Sequence, residues 1–299
     1  MPLQIRRSRA GVHLFDRHSG LNVLADEVRV ATDDYSQSPR CLSIALTNAC
    51  DLRCAYCYAP KQAATLNADR VVAWAAELAG AGCLGIGFGG GEPTTHPRFA
   101  QICEQVSQST AMAVTFTTHG HRLTPRLVES LQGNVHFARL SVDGVGDTYE
   151  RLRGRPFGAV HTAAMRLRSL APIGINTVVN ASTIGELDDI AEFASGVGAV
   201  ELLLLPQQAT ATQPGISASD AERLVRWIQL ANPPIRLAIS RTGIESSVVT
   251  AEPIPGEDPL EAHLHIDATG TLRPHAYART GVAVTGSLLA AAHELRQAI

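Results

Sequence analysis

Between residues 41 and 206, short apolar runs alternate with amphipathic segments, and that alternation restricts the chain to a few architectures. Strand patterns fall on Cys41–Thr47, Leu84–Phe88, Ala111–Thr117, Val135–Val142, Ile173–Asn180 and Val200–Leu205. Helical patterns lie between them on Asp69–Ala79, Arg98–Gln108, Pro125–Leu131, Ala159–Leu170 and Ile184–Gly196. Asn67 or Asp69, and Thr124, are placed to cap helices, and Gly80 follows the end of one. Six strands with five intervening helices predict an α/β fold of parallel βαβ units with right-handed crossovers. An open partial barrel and a doubly wound sheet both fit that count.

The flanks follow other rhythms. Residues 1–40 read as short strands, Val12–Phe15 and Leu21–Leu24, around His18, Ser19 and Gly20, with a polar linker from Thr32 to Pro39. From 207 to 299 the pattern gives a helix over Ser219–Leu230 and a strand over Ile235–Ser240. A hairpin with arms His263–Asp267 and Thr271–Pro274 follows, then a helix over Ser287–Gln297. Three parts are therefore expected, residues 1–40, 41–206 and 207–299, the last a small α+β unit.

Composition removes several function classes. In 299 residues, 45% are hydrophobic and 18% charged, which supports a sizeable core and excludes a disordered or fibrous chain. A net charge of −3 and 5% aromatic residues argue against a nucleic-acid partner. The most apolar stretch, Val71–Phe88, contains Glu77 and four glycines, which suits a helix then a strand better than a membrane span. The N-terminus has no long apolar run, so a cytoplasmic protein without a membrane partner is expected.

Of six cysteines, Cys50, Cys54 and Cys57 are crowded into eight residues as C-x₃-C-x₂-C. They directly follow the first strand of the alternating region, and parallel α/β folds bind ligands at the C-terminal ends of strands. Three thiolates on one tight loop can converge on a metal. Structural zinc wants four Cys or His ligands, and no second C-x₂-C pair exists here. An iron–sulfur cluster held by three thiolates would keep one iron open for chemistry. Cys41, Cys83 and Cys103 read as buried small hydrophobes.

The segment Thr47-Asn48-Ala49-Cys50-Asp51-Leu52-Arg53-Cys54-Ala55-Tyr56-Cys57 resembles the signature of the radical S-adenosylmethionine (SAM) superfamily, including an aromatic residue, Tyr56, before the last cysteine. Gly90-Gly91-Glu92-Pro93 resembles the family's GGEP motif, which binds the methionine amino group. Independently, Gly89, Gly90 and Gly91 let backbone approach a ligand, and Glu92 suits an ammonium. Ser141, in Arg139-Leu140-Ser141-Val142-Asp143-Gly144, stands where the family's fourth strand contacts SAM. Arg153, with Arg151 as its rival, stands where an arginine holds the SAM carboxylate, and Leu205 resembles the apolar wall of the adenine pocket.

The resemblance implies a partial (β/α)₆ TIM-like barrel, a [4Fe–4S] cluster and SAM as cofactors, and a flavodoxin- or ferredoxin-type reducing partner. The expected activity is reductive cleavage of SAM to a 5′-deoxyadenosyl radical that abstracts hydrogen from substrate. The hairpin His265–Tyr277 resembles the SPASM/twitch extension, which points to a peptide side chain or backbone as substrate and to a crosslink, epimer or oxidised residue as product. The alternative is a small molecule such as a sugar, amino acid or nucleoside. A third reading, without catalysis, is a zinc- or iron–sulfur-binding scaffold. Relatives place an auxiliary-cluster cysteine after that hairpin. This chain has His275 there and no cysteine after Cys103, so the auxiliary cluster is read as lost. No cobalamin-binding segment is evident. His119, His121 and Asp143 follow strands and are candidates to touch substrate or move a proton, with His119 and Asp143 the chosen catalytic pair. A hydrogen-bonded wall histidine is the plainer reading of His119.

Overall fold

The computed structural model describes residues 3–210, 213–240, 254 and 257–299, and the 1–40 and 207–299 parts are followed only over those residues. A small antiparallel sheet of β1 (Gln4–Ser8), β2 (Gly11–Phe15) and β3 (Asn22–Ala25) precedes the alternating region. There β4 (Cys41–Thr47), α1 (Ala68–Gly80), β5 (Gly85–Gly90), α2 (Phe99–Ser109), β6 (Ala113–Thr118), α3 (Pro125–Leu131) and β7 (Phe137–Ser141) alternate. The region continues through α4 (Gly146–Arg153), α5 (Gly158–Arg168), β8 (Ile173–Val179), α6 (Leu187–Gly196) and β9 (Glu201–Pro206). After it come α7 (Ala218–Leu230), β10 (Leu237–Ile239), α8 (Pro259–Ala262), β11 (His263–Ile266), β12 (Thr271–Arg273), β13 (Val282–Ala283) and α9 (Leu288–Ala298).

Strands β4 to β9 are parallel and lie side by side in chain order. Their pleat sorts side chains by parity. Leu42, Ile44, Ile86, Phe88, Val114, Phe116, Leu140 and Ile175 are buried in the apolar core that the helices share. Ser43, Gly87, Thr115, Ser141 and Asn176 point the other way, into a central cavity. These inward positions are small or polar and leave room for the cavity, while Leu203 and Leu205 of β9 give it an apolar wall. The architecture is mixed α/β around a central parallel sheet, as expected for the partial barrel.

The C-terminal strands do not form a sheet of their own. Strand β10 adds in parallel to β9, and β11 adds in parallel to β4 with His265 opposite Ser43. Strands β12 and β13 extend that edge antiparallel, which gives a sheet of ten strands among the described residues. Helix α9 is held beside α1, where the Glu77 carboxylate accepts from Leu288 N at 2.8 Å and Leu289 N at 3.2 Å. Such capping satisfies amides that a helix start leaves unpaired.

The N-terminal sheet sits at the opposite end from the mouth. Gln4 donates to Ala79 O and Cys83 O, and Arg17 to Ser107 O, Thr110 O and Met112 O, all at the C-terminal ends of α1 and α2. Sequence patterning misses β1 because its apolar Ile5 faces solvent while Gln4 and Arg6 face inward. It also misses α4, whose residues bury only Thr148 and Tyr149 and so carry no apolar stripe.

Candidate functional site

The loop of residues 48–67 is tied back onto β4. Asn48 N donates to Ala64 O and Leu66 N to Leu46 O, both at 2.9 Å. The loop brings Cys50, Cys54 and Cys57 to one cavity of about 370 Å³ at the C-terminal ends of the strands. Cys54 is buried, the other two are half-buried, and all six cysteines of the chain are free. Burial pushes the Cys50 and Cys54 thiols above the ordinary thiol range. A buried neutral thiol gains most from a cationic centre that turns it into a thiolate.

The Gly-Gly-Glu-Pro turn abuts that loop. Gly91 N donates to Thr47 O at 2.7 Å and Glu92 N to Ala49 O at 2.8 Å. A Cβ on Gly90 would lie 2.3 Å from Thr47 O, and one on Gly91 2.4 Å from Ala49 O. These two glycines therefore permit contact between two protein backbones, and Gly90 has a φ of +130° as well. Gly89 alone of the three presents open space on its Cβ side, along the cavity.

Glu92 is buried, with its carboxylate assembled by the protein. It accepts from Thr94 N at 3.2 Å, Thr94 Oγ1 at 2.6 Å, Thr118 Oγ1 at 2.7 Å and His119 N at 2.9 Å. His119 is buried behind it. Its Nδ1 accepts the His121 N–H at 3.1 Å, so Nε2 carries the ring proton. That Nε2 lies 2.9 Å from Asp51 Oδ1 and 3.4 Å from Glu92 Oε2, joining the cysteine loop to the glutamate. His121 Nε2 is 2.9 Å from the Tyr149 hydroxyl, and burial lowers its pKa to about 4.

Asp143 is fully buried, and both its oxygens are engaged. Oδ2 pairs with Arg153 Nη2 and accepts from the Tyr56 hydroxyl, each at 2.5 Å, while Oδ1 accepts from Val178 N at 2.7 Å. Burial opposes the Arg153 charge, but the Asp143 carboxylate together with Tyr56, Cys54 and Tyr149 outweighs it, and the guanidinium pKa stays above its ordinary value. Arg153, Ser141, Tyr56 and Leu205 all line the cavity. Arg151 is exposed and hydrogen bonds Thr148 within its own helix.

Residues overlooked in the sequence complete the mouth. His265 is 7% exposed, with Nδ1 2.8 Å from Ser43 Oγ, and it borders both the cavity and an outer groove of about 510 Å³. Burial, aided by His263, lowers its pKa to about 4, so the imidazole is neutral at physiological pH. The Tyr58 and Tyr277 rings, 4.6 Å apart, stand where cavity and groove meet. His275 is exposed beside Tyr277. Only the alternation along β11 hinted at His265, and its pairing with β4 was needed to place it.

The donor set fits a cluster with a charged ligand beside it. Among the described residues, ligand atoms within 4.8 Å of one another belong to Cys50, Asp51 and His119, a grouping that the His119–Asp51 pair explains. The three thiols are not gathered to that single-ion spacing, which suits a polynuclear centre over one zinc ion. Arg153 Nε is buried with no hydrogen-bond partner among the described residues, which leaves a donor for an anionic group.

Soft donors and paired charges at the C-terminal ends of parallel strands mark a barrel protein that holds a metal cofactor at its mouth. Residues 44–194 match the family model described as the radical SAM superfamily, and the chain belongs to that superfamily. The family is one of enzymes whose cofactors are a [4Fe–4S] cluster and SAM. The chain is 28% identical to the AdoMet-dependent heme synthase of Methanosarcina barkeri over 204 residues, 64% of this chain and 58% of that one. It is 30% identical to the mycofactocin maturase MftC of Mycobacterium tuberculosis over 177 residues, 54% of this chain and 43% of that one. The chain thus spans about half the length of these curated relatives. In fold it is similar to Streptococcus suis SuiB bound to precursor peptide SuiA, with a TM-score of 0.77, 14% identity, and coverage of 96% of this chain and 86% of that one. Among the described residues, no helix is long and apolar enough to cross a membrane.

Proposed function

We propose that the chain holds a [4Fe–4S] cluster on Cys50, Cys54 and Cys57, binds SAM beside it, and takes hydrogen from a peptide side chain or backbone to give a crosslink, an epimer or an oxidised residue. The observation that carries this reading is the shared cavity of the three thiols, Glu92 and Arg153. When bound and reduced, the cofactor pair supplies the 5′-deoxyadenosyl radical that does the abstraction. The protein's part is to bind, orient and exclude water.

Glu92 is the group for the methionine ammonium, and Arg153, with its spare Nε–H, the group for the carboxylate. Gly90, Gly91, Ser141, Tyr56 and Leu205 complete that pocket. His119 and Asp143 contribute through the groups they orient, His119 through Asp51 and Glu92, Asp143 through Tyr56 and Arg153. His265, neutral and facing the cavity, is the polar group for substrate. Tyr58 and Tyr277 shield the cavity from the groove.

A peptide is favoured because the outer groove is open and lined by Tyr58, Ala59, Pro60 and Tyr277, which suits an extended chain with one residue turned inward. The maturase name of MftC and the precursor peptide in the SuiB structure lend support. The reductant is a flavodoxin- or ferredoxin-type protein, the setting cytoplasmic, and the working division 1–40, 41–206 and 207–299.

The test is anaerobic reconstitution followed by assay of 5′-deoxyadenosine. Wild type should form it with a reductant alone, and a peptide deuterated at the reacting carbon should pass deuterium into it. Turnover of a small molecule and of no peptide would replace the peptide reading. No reductive cleavage by protein with a full cluster would overturn the activity itself.

A further inference from the structure

We propose that Tyr149, through its hydrogen bond to His121, is a positioning residue that holds Arg153 in place relative to Glu92 and so sets the span offered to the two charged ends of the SAM methionine. This rests on the function proposed above, which gives Glu92 the ammonium and Arg153 the carboxylate.

The placement of α4 needs such a tie. The helix has eight residues, too few to be stable alone, and it buries only Thr148 and Tyr149. Polar contacts therefore fix its position. At its start, the Glu186 carboxylate accepts from Val145 N at 2.9 Å and from Thr148 Oγ1 at 2.5 Å. At its end, Arg153 pairs with Asp143. Between them, the hydroxyl of the fully buried Tyr149 meets His121 Nε2 at 2.9 Å. Tyr149 and Arg153 are four residues apart and so share one helix face. A shift of the first carries the second with it.

The other end of this bond leads to Glu92. The His121 N–H is held by His119 Nδ1 at 3.1 Å, and the His119 N–H donates to Glu92 Oε2 at 2.9 Å. From Arg153 the path continues through Asp143 to the Tyr56 hydroxyl on the cysteine loop. Asp51, on the same loop, returns it to His119 Nε2. The ties thus close into a ring. The Tyr149–His121 bond is its direct link between the glutamate and the arginine, with no step through the cysteine loop.

Neither partner of that bond is a catalytic residue. His121 and Tyr149 are not among the described residues that line the cavity, so they act through the groups they hold. Burial raises the Tyr149 phenol to about 12 against the lowering effect of Arg153, and burial lowers His121 to about 4. Both side chains are neutral between these limits, so the bond holds across the neutral pH range without a change of charge.

The test uses anaerobically reconstituted protein of confirmed iron content and two ligands, labelled SAM and decarboxylated SAM, which keeps the ammonium and lacks the carboxylate. Equilibrium dialysis gives the preference of each protein for SAM over the decarboxylated form. Tyr149→Phe and His121→Ala should each lower that preference by about three- to tenfold, the worth of one hydrogen bond. The double variant should lose no more than either single one, because both remove the same tie. His121→Gln, whose amide can still reach the hydroxyl, should keep the wild-type preference. Iron content and affinity for the decarboxylated ligand should hold throughout, and the melting temperature should fall by no more than about 4 °C. His121 is half-buried, so its variants keep the test intact if Tyr149→Phe folds poorly. An unchanged preference in Tyr149→Phe and in His121→Ala would overturn the positioning role. So would equal weakening of both ligands, which would make the bond a support of the fold alone. A wild type with no preference for SAM would instead overturn the carboxylate role of Arg153 and, with it, the role given to Tyr149.

Discussion

The Tyr56 hydroxyl donates a 2.5 Å hydrogen bond to Asp143 Oδ2, the same oxygen that pairs with Arg153. One buried carboxylate thereby ties the cysteine loop to the end of β7 and to the last turn of α4. Removing Asp143 would leave the Arg153 charge uncompensated in the interior. Asp143→Ala should destabilise the protein by about 3–5 kcal/mol. Tyr56→Phe, which loses one hydrogen bond, should cost about 1–2 kcal/mol. Denaturant titration of both variants checks the order, and equal losses would refute the proposed role of the carboxylate.

The cysteines divide into two sets. Cys50→Ala, Cys54→Ala and Cys57→Ala should each abolish the iron–sulfur chromophore and SAM cleavage. Cys83 and Cys103 are packed in the core, and Cys41 pairs with Gly85 on β5, so their alanine variants should keep both. Wild-type iron should come to about four per chain, one cluster's worth. Iron near twice that, with a signal lost in His275→Ala, would reveal a second cluster.

Glu92→Ala should keep the cluster and weaken SAM binding by about 2–5 kcal/mol, because an ammonium loses its buried charge partner. Equilibrium dialysis with labelled SAM measures this directly. An unchanged dissociation constant would take Glu92 out of the site.

Gly91 and Gly89 should respond oppositely to the same methyl group. Gly91→Ala would drive a Cβ to 2.4 Å from Ala49 O and 2.5 Å from Asn48 O, both backbone atoms. It should displace the cysteine loop, cost about 1–3 kcal/mol and lower iron content. Gly89→Ala meets nothing within 4 Å, so melting temperature should hold while the methyl narrows the cavity. Equal thermal losses would contradict this packing.

Stability should fall on mild acidification. His265 titrates at about 4 in the folded chain, chiefly through burial, against about 6.5 when unfolded. The neutral form is the one the fold favours, so its stabilisation is complete above pH 6.5 and is lost as pH falls toward 4. Melting curves from pH 7.5 to 4.5 should show that loss, with a smaller slope for His265→Gln. Identical slopes would mean that His265 is not the buried neutral group described.

The sequence alone determined the parallel βαβ order, because apolar periodicity and caps such as Asn67 and Thr124 act over a few residues and need no distant partner. It also determined the cysteine loop, since three thiols within eight residues must share one neighbourhood. It could not decide what Gly90 and Gly91 do, because the backbone they meet belongs to a loop some forty residues earlier. Nor could it show that Asp143 faces Arg153 and Tyr56, or that His265 stands beside Ser43, 222 residues away in the chain. Those pairings come from strand register, which is set by the burial of one whole face of a sheet against its helices and not by any local pattern. The C-terminal strands show the same limit. Their sequence specifies a hairpin, but only the unpaired edges of β4 and β9 made β11 and β10 part of the barrel sheet.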